Sequence, residues 1–186
     1  MTGTTSVTNK IKVEDVFQLE SNQNQLTRLY RFLSYPQSGF ILCQVKLKEQ
    51  NKMFHFFENT PMKDYIYMLD MASPPLNLRA LQEKIHEINE GNGPQQKIIF
   101  IHNIKACITG LGMTVEEYLA RLNFIRDFFG NFKIVFVFFM PEDLLRLFFL
   151  HAFDFYDWFK IKVVFLPEIL RFSPVEDNVT NNFGFD

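Results

Sequence analysis

Glycine is missing from the whole of residues 40–90, and no G-x-x-x-x-G-K-[ST] motif occurs anywhere in the 186 residues. A loop that surrounds nucleotide phosphates with backbone N–H groups needs glycine, because glycine lets the backbone approach the phosphates closely. The sequence therefore excludes a phosphate-binding loop of this type after the first predicted strand, which occupies residues 40–47.

A strong charge of one sign is also missing. The chain has 19 basic and 21 acidic residues, a net charge of −2, and no cluster of lysines and arginines. Nucleic-acid binding depends on such a basic surface, so we expect no nucleic-acid partner. The four histidines lie far apart, without the H-x-x-x-H spacing of a zinc site. We therefore expect neither a metal nor any other cofactor.

Cysteine is scarce, and long apolar runs are absent. Cys43 and Cys107 each lie in apolar sequence, which is typical of buried thiols in a reducing compartment rather than of a disulfide. Residues 132–140 are too few to span a bilayer before Pro141 ends the run. Residues 1–8 lack the basic and apolar segments of a signal peptide. We expect a soluble, cytoplasmic protein without a membrane partner.

Phenylalanine, by contrast, is abundant, with 23 residues. The stretch 148–159 is more aromatic than one buried helix face requires, and surplus aromatic residues often anchor protein interfaces. The candidate partner-binding residues are Phe148, Phe149, Phe153, Phe155 and Trp158. The alternative, a core that uses Phe where other proteins use Leu, stays open.

The order of the apolar patterns predicts an α/β fold. Residues 98–101 and 133–139 are apolar without alternation, which is typical of strands covered on both faces. Amphipathic helices alternate with the strands. These patterns predict a three-layer, mostly parallel sheet with helices on both faces.

One helix has clear signals at both ends. Thr114 is followed three positions later by Glu117, as in a capping box, and the apolar stripe ends at Phe129 before a glycine. The predicted core pairs Leu122 and Ile125 of this helix with residues 135–138.

The other predicted elements complete the pattern. They are a helix from near Ser21 or Asn22 to Leu33, a helix over 52–58, strands over 65–69 and 161–166, and helices that begin near Ser73 and at Pro141. The expected domain organisation is a flexible segment over 1–20, one domain over 21–172, and a polar tail or linker over 173–186.

Several motifs, each weak alone, follow one another in a recognisable order. They are Gly39-Phe40, the strand over 98–101, Leu122-Asn123 with Arg126-Asp127, the strand over 135–140 that runs into Pro141, and Asp154-Phe155-Tyr156-Asp157-Trp158. In this order the chain resembles the nucleotide-binding domain of STAND-type P-loop ATPases, large signalling ATPases of bacterial regulation, defence and cell death. The resemblance covers approximately residues 26–166 and implies a P-loop NTPase-like fold.

The departures from this pattern fall at the positions that carry the chemistry. Residues 48–53 stand where the phosphate-binding loop would be, and His102-Asn103 stands where a metal-associated acid would follow its strand. An imidazole and an amide do not replace the carboxylate that positions Mg²⁺ and water. The resemblance therefore implies an inactive ATPase-like domain. It would not be an enzyme but a protein–protein interaction and signalling module of a bacterial regulatory or antiviral defence system.

The resemblance leaves the partner open between a separate protein, fused effector or repeat domains, and a homo-oligomer. Two rival functions also stay open. A nucleotide-binding enzyme would need an unrecognised phosphate site, for which His102, Asn103, Gly110 and Gly112 are weak candidates. Glycines ahead of a capped helix can expose amides to an anion. The other rival is a purely structural domain of a larger protein.

Overall fold

A computed structural model of the chain describes residues 13–35, 37–94 and 96–168, except for the side chains of Glu14 and Asp15. Five strands of these residues form one parallel sheet in the order β2-β3-β4-β1-β5. They are β1 Gly39–Gln44, β2 Ile66–Asp70, β3 Lys97–His102, β4 Ile134–Met140 and β5 Phe159–Val164. The predicted class, a three-layer α/β fold with a parallel sheet like that of P-loop NTPases, is confirmed.

Helices cover both faces of the sheet. One face carries α1 Val13–Val16, α2 Glu20–Leu33 and α3 Leu47–Glu58. The other face carries α4 Leu78–Glu90, α5 Ile104–Gly110, α6 Val115–Phe124, α7 Arg126–Gly130, α8 Glu142–His151 and α9 Phe153–Tyr156. A 3₁₀ helix, Pro61–Tyr65, precedes β2.

The strand β4 separates two hydrophobic cores. All of its residues are buried, as expected for a strand covered on both faces. Val135 and Val137 belong to the cluster with α2 and α3, whereas Phe136 and Phe138 belong to the cluster with α6 and α8. Leu122 of α6 is 2% exposed. The prediction that these five residues lie in the core is confirmed.

After the neighbouring strands β1 and β4, the chain continues on opposite faces of the sheet. The helix α3 follows β1 on one face, and α8 follows β4 on the other. At such a point an open parallel sheet leaves a crevice outside the carboxyl ends of its strands, where ligands of α/β proteins usually bind. The fold thus places the candidate site at the carboxyl ends of β1 and β4.

The first strand is shorter than predicted. It ends at Gln44, and the helix that was predicted from residue 52 already begins at Leu47. The Leu47 side chain is 63% exposed. The apolar alternation that predicted a strand to residue 47 therefore runs into the first turn of an amphipathic helix.

The helix predicted after Thr114 is divided in the structure. α6 ends before Ile125, whose ψ of 10° interrupts the helix, and α7 follows directly. Ile125 is partly buried against the core rather than fully inside it. The short helix α5 was not predicted, because its seven residues are too few to show a clear helical period.

Two other predicted boundaries move by a few residues. α4 begins at Leu78 rather than near Ser73, because Asn77 is its cap and accepts a 2.9 Å hydrogen bond from the Ala80 N–H. β5 covers Phe159–Val164 rather than residues 161–166.

Residues before the predicted domain boundary at residue 21 pack into the core. Phe17 is fully buried, and the centroids of its ring and the Phe165 ring are 5.4 Å apart. The packed domain therefore includes part of the segment that was predicted to be flexible. Residues 1–12 and the predicted tail over 173–186 lie outside the described residues.

A buried lysine stabilises the end of α4. Lys97 is 7% exposed, and its Nζ donates to the carbonyl oxygens of Ile88 and Asn89 at 2.7 Å and of Gly91 at 2.9 Å. The last carbonyl groups of a helix have no partner within it. The ammonium group supplies those partners and complements the negative end of the helix dipole.

Candidate functional site at the carboxyl end of the sheet

A crevice of about 500 Å³ lies at the carboxyl ends of β1, β4 and β5. Its charged lining residues are two cations, Lys46 and Arg146, and two acids, Glu142 and Asp143. Asp143 pairs with Lys105 of α5, and this hydrogen bond lowers the pKa of the Asp143 carboxyl group. The crevice thus presents charges of both signs, whereas a phosphate site concentrates positive charge.

The connection from β1 to α3 is too short for a phosphate-binding loop. Only Val45 and Lys46 lie between the strand and the helix. The Val45 N–H donates to the Met140 carbonyl oxygen at 3.0 Å, and the Phe165 N–H donates to the Gln44 carbonyl oxygen at 2.9 Å. The connection thus extends the hydrogen bonding of the sheet and leaves no loop that can surround a phosphate group.

A glutamate side chain occupies the beginning of α3. Glu49 lies in the first turn of the helix and is 2% exposed. Its Oε1 accepts a 3.1 Å hydrogen bond from the Glu168 N–H. An acid in the first turn complements the positive end of the helix dipole. The Glu49 carboxylate therefore holds the backbone of residue 168 beside the first turn of α3.

The Glu168 side chain lies beside the beginning of α2. Its Oε1 accepts hydrogen bonds from the N–H groups of Gln18 at 2.8 Å and Leu19 at 3.0 Å, and its Oε2 pairs with Lys52. Burial raises the pKa of this carboxyl group, but the hydrogen bonds from Leu19, Lys52 and Gln18 outweigh burial and lower the pKa. The Glu168 carboxylate is therefore ionised at neutral pH.

Asn103, a predicted candidate, holds a turn at the carboxyl end of β3. Its φ is +60°, in the left-handed region that asparagine tolerates better than most residues. Its Nδ2 donates to Asp70 Oδ1 at 3.0 Å, and the Ala72 N–H donates to the same oxygen at 2.9 Å. The Asn103 amide thus joins the ends of β2 and β3, which is a structural role.

His102, the neighbouring candidate, packs against Phe54, with ring centroids 5.1 Å apart. Its Nδ1 is buried and has no hydrogen-bond partner among the described residues. Burial lowers the pKa of the imidazole and exceeds the opposing effects of Asp70 and Asn103, so the ring is neutral at pH 7. In the part of the chain that the structure describes, no three His, Cys, Asp or Glu side chains could hold a metal ion together.

The two glycine candidates lie at the opposite end of α5 from His102. Gly110 is the last residue of α5, and a Cβ atom there would lie 2.6 Å from Pro75. The N–H groups of Gly112 and Met113 donate to backbone carbonyl oxygens within the same turn. The structure therefore does not bring the four candidates together, and it leaves no open amides of Gly112 and Met113 for an anion.

The predicted aromatic candidates divide between core and surface. Phe148 and Phe155 are fully buried, so the prediction that they contact a partner is corrected: both rings fill the core on the α8 side of the sheet. Trp158 is partly buried against that core. The centroids of its ring and the Phe40 ring are 5.4 Å apart, and its edge covers Gly130.

Two predicted rings and one residue that the prediction missed are exposed on α8 and α9. Phe149 is 46%, Phe153 50% and Leu150 67% exposed, and we refer to these three residues as the α8–α9 patch. Ring centroids of Phe149 and Phe153 are 5.6 Å apart, and those of Phe149 and Tyr156 are 5.1 Å apart. Leu150 could have been found, because apolar residues of α8 extend over more than one helix face.

A scan against protein-family models finds no matching family, and a search of curated proteins finds no significant match. None of the helices in the described ranges is both long and apolar enough to cross a membrane.

Proposed function

We propose that the chain is a non-catalytic module for protein–protein interaction, built on an ATPase-like fold, in a bacterial regulatory or antiviral defence system. The resemblance to STAND-type ATPases supports this setting and a cytoplasmic location. One observation carries the non-catalytic part of the proposal: only Val45 and Lys46 connect β1 to α3.

Hydrolysis of a nucleotide would need donors around the phosphates and a carboxylate for Mg²⁺. The two-residue connection does not supply the donors. The carboxylate at the end of β2, Asp70, accepts hydrogen bonds from Ala72 and Asn103, which use the same oxygen. Asp70 Oδ1 thus stabilises the turns that follow β2 and β3.

The α8–α9 patch supports the interaction part of the proposal. Its rings contact one another and Tyr156, whose ring is in turn covered by Lys162 at 3.6 Å from Nζ to the ring centroid. Rings that already contact one another lose little freedom when a partner covers them. In a typical protein interface, aromatic anchors lie at the centre and charged residues lie at the rim.

Isothermal titration calorimetry with ATP and MgCl₂ tests the non-catalytic part. We expect no saturable heat and no phosphate release over the enzyme-free rate, because the phosphate donors are missing. A dissociation constant in the micromolar range would overturn this part of the proposal.

Site-specific photo-crosslinking tests the interaction part. A photoreactive residue at Leu150, in cells that express the chain, should give a discrete crosslinked product of defined mass. The same group at Lys84, an exposed residue of α4, is the matched control. Products that are equal at both positions, or that persist in the F149S/F153S double variant, would reject the patch as the interface. The mass of the product distinguishes a second copy of the chain from a different protein.

A further inference from the structure

The strand β2 lies at one edge of the sheet, where it pairs with β3 on one side only. The Met71 N–H, just after the strand, donates to the His102 carbonyl oxygen of β3 at 3.0 Å, so the backbone groups of Met71 face β3. Alternate residues of a strand direct their N–H and C=O groups to opposite sides. The backbone groups of Ile66, Met68 and Asp70 therefore point away from the sheet, and we call these three residues the β2 edge.

Most of the backbone groups of the β2 edge have no partner among the described residues. The Ile66 N–H donates to the Lys63 carbonyl oxygen of the 3₁₀ helix. The Ile66 carbonyl oxygen, both backbone groups of Met68 and the Asp70 N–H have no such hydrogen bond. The Met68 side chain is 46% exposed. An unpaired edge with apolar side chains is a template for a further strand.

The opposite edge of the sheet, β5, is protected against such pairing. It carries two exposed lysines, Lys160 and Lys162, and its register with β1 shifts between Phe40 and Ile41. Exposed lysines and irregular register are features by which proteins prevent the addition of a strand. Residues 66–69 of β2 include no charged side chain. The sheet therefore has one protected edge and one open edge.

The β2 edge is complementary to a second copy of itself. In an antiparallel arrangement centred on Met68, the two Met68 residues exchange N–H to C=O hydrogen bonds, and each Ile66 carbonyl oxygen faces the N–H of the partner's Asp70. A shift of the register in one direction would bring Asp64 opposite the partner's Asp70, where like charges repel. A shift in the other direction would leave Ile66 beyond the end of the partner strand. The charges and the length of β2 thus favour one register.

We propose that the chain forms a homodimer by antiparallel pairing of the β2 edge with the β2 edge of a second copy. The dimer has one continuous sheet whose two outer edges are both β5. Because Lys160 and Lys162 lie on both of these edges, no third copy can add a strand, and assembly ends at two chains. This inference concerns a different surface from the α8–α9 patch and does not depend on it.

Sedimentation velocity of the full-length chain over a range of concentrations tests the proposal. We expect a species of twice the chain mass whose fraction rises with concentration, and no larger species. M68K places two ammonium groups opposite each other at the two-fold axis and should weaken dimerisation at least about tenfold. The matched control is V164K, because Val164 lies on the β5 edge and is 40% exposed. It should leave dimerisation unchanged.

Three outcomes of this experiment would overturn the proposal. They are a wild-type chain that stays monomeric up to about 0.5 mM, a dimer that M68K and V164K weaken equally, and open-ended association into larger species. The double variant F149S/F153S separates the two proposed surfaces, because it changes only the α8–α9 patch. It should leave the dimer intact, and a dimer lost in this variant would place the contact on that patch instead of the β2 edge.

Disulfide crosslinking tests the register and applies even if M68K does not fold. Opposite residues of a hydrogen-bonded antiparallel pair have Cα atoms about 5.5 Å apart, which a disulfide can span. Full-length M68C with oxidised glutathione should therefore give a disulfide-linked dimer, whereas V164C should not. The wild type should give none, because Cys43 and Cys107 are fully buried. No crosslinked product from M68C, or equal amounts from M68C and V164C, would reject the pairing of the β2 edge.

Discussion

Val137 and Phe138 are consecutive residues of β4, yet their side chains lie in two different hydrophobic clusters on opposite faces of the sheet. Neither is more than 1% exposed. The clusters are filled by α2 and α3 on one face and by α6 and α8 on the other. A polar side chain introduced on either face of β4 could therefore not reach water. Both helix layers pack against this one strand.

Replacement of Val137 by Asp should unfold the domain. A carboxyl group in this cluster has no partner, and an unpaired buried charge costs on the order of 4 kcal/mol or more, a large part of the stability of a small domain. Urea denaturation followed by circular dichroism measures the effect.

The matched control for this change is Val164→Asp. Val164 is the last residue of β5 and is 40% exposed, so the same substitution should cost less than about 1 kcal/mol. Equal stability of the two variants would show that the burial of β4 does not determine stability.

Phe148 and Phe149 are adjacent in α8 but are expected to respond differently to serine. Phe148 is fully buried, and its loss should cost about 3–5 kcal/mol through lost burial and the cavity that remains. Phe149 is 46% exposed, so its replacement should cost less than about 1.5 kcal/mol. Unfolding midpoints of the two single variants test this contrast; a larger loss for F149S would place that ring in the core and exclude it from an interface.

Local patterns predicted the parts of the fold that depend on neighbouring residues. The unbroken apolar runs predicted β3 and β4, because such runs are typical of strands covered on both faces. The cap at Thr114 is also confirmed: its Oγ1 accepts a 3.2 Å hydrogen bond from the Glu117 N–H. Each of these signals lies within a few residues of the structure that it specifies.

The polar contacts of the candidate site left no such signal. Glu49 and Glu168 are 119 positions apart, and Asn22 and Leu166 are 144 apart, so no spacing in the sequence relates them. Glu168 also lies in a segment whose sequence shows no period. Only the order of the strands, which places β5 beside β1, brings these residues together.

We expect Lys97 to stabilise the domain through the hydrogen bonds that its buried ammonium group donates to the end of α4. Lys97→Met keeps the apolar stem but leaves three carbonyl oxygens at the end of α4 without their donor. The free energy of unfolding should fall by about 1–3 kcal/mol. Lys84→Met, at an exposed position that pairs with Glu87, should change it by less than about 0.5 kcal/mol. If the two variants are equally stable, the contacts of Lys97 contribute nothing.

Two substitutions of Asn103, at the end of β3, separate the effect of its backbone conformation from the effect of its side-chain hydrogen bond. Asn103→Gly removes the hydrogen bond to Asp70 but suits the φ of +60°, so it should cost about 0.5–1.5 kcal/mol. Asn103→Ala loses the same hydrogen bond and adds a left-handed backbone strain of about 1 kcal/mol, so it should be the less stable variant. Urea denaturation at neutral pH gives the order wild type, N103G, N103A. An alanine variant as stable as the glycine variant would show that the turn relaxes. A glycine variant as stable as the wild type would show instead that the hydrogen bond to Asp70 contributes nothing.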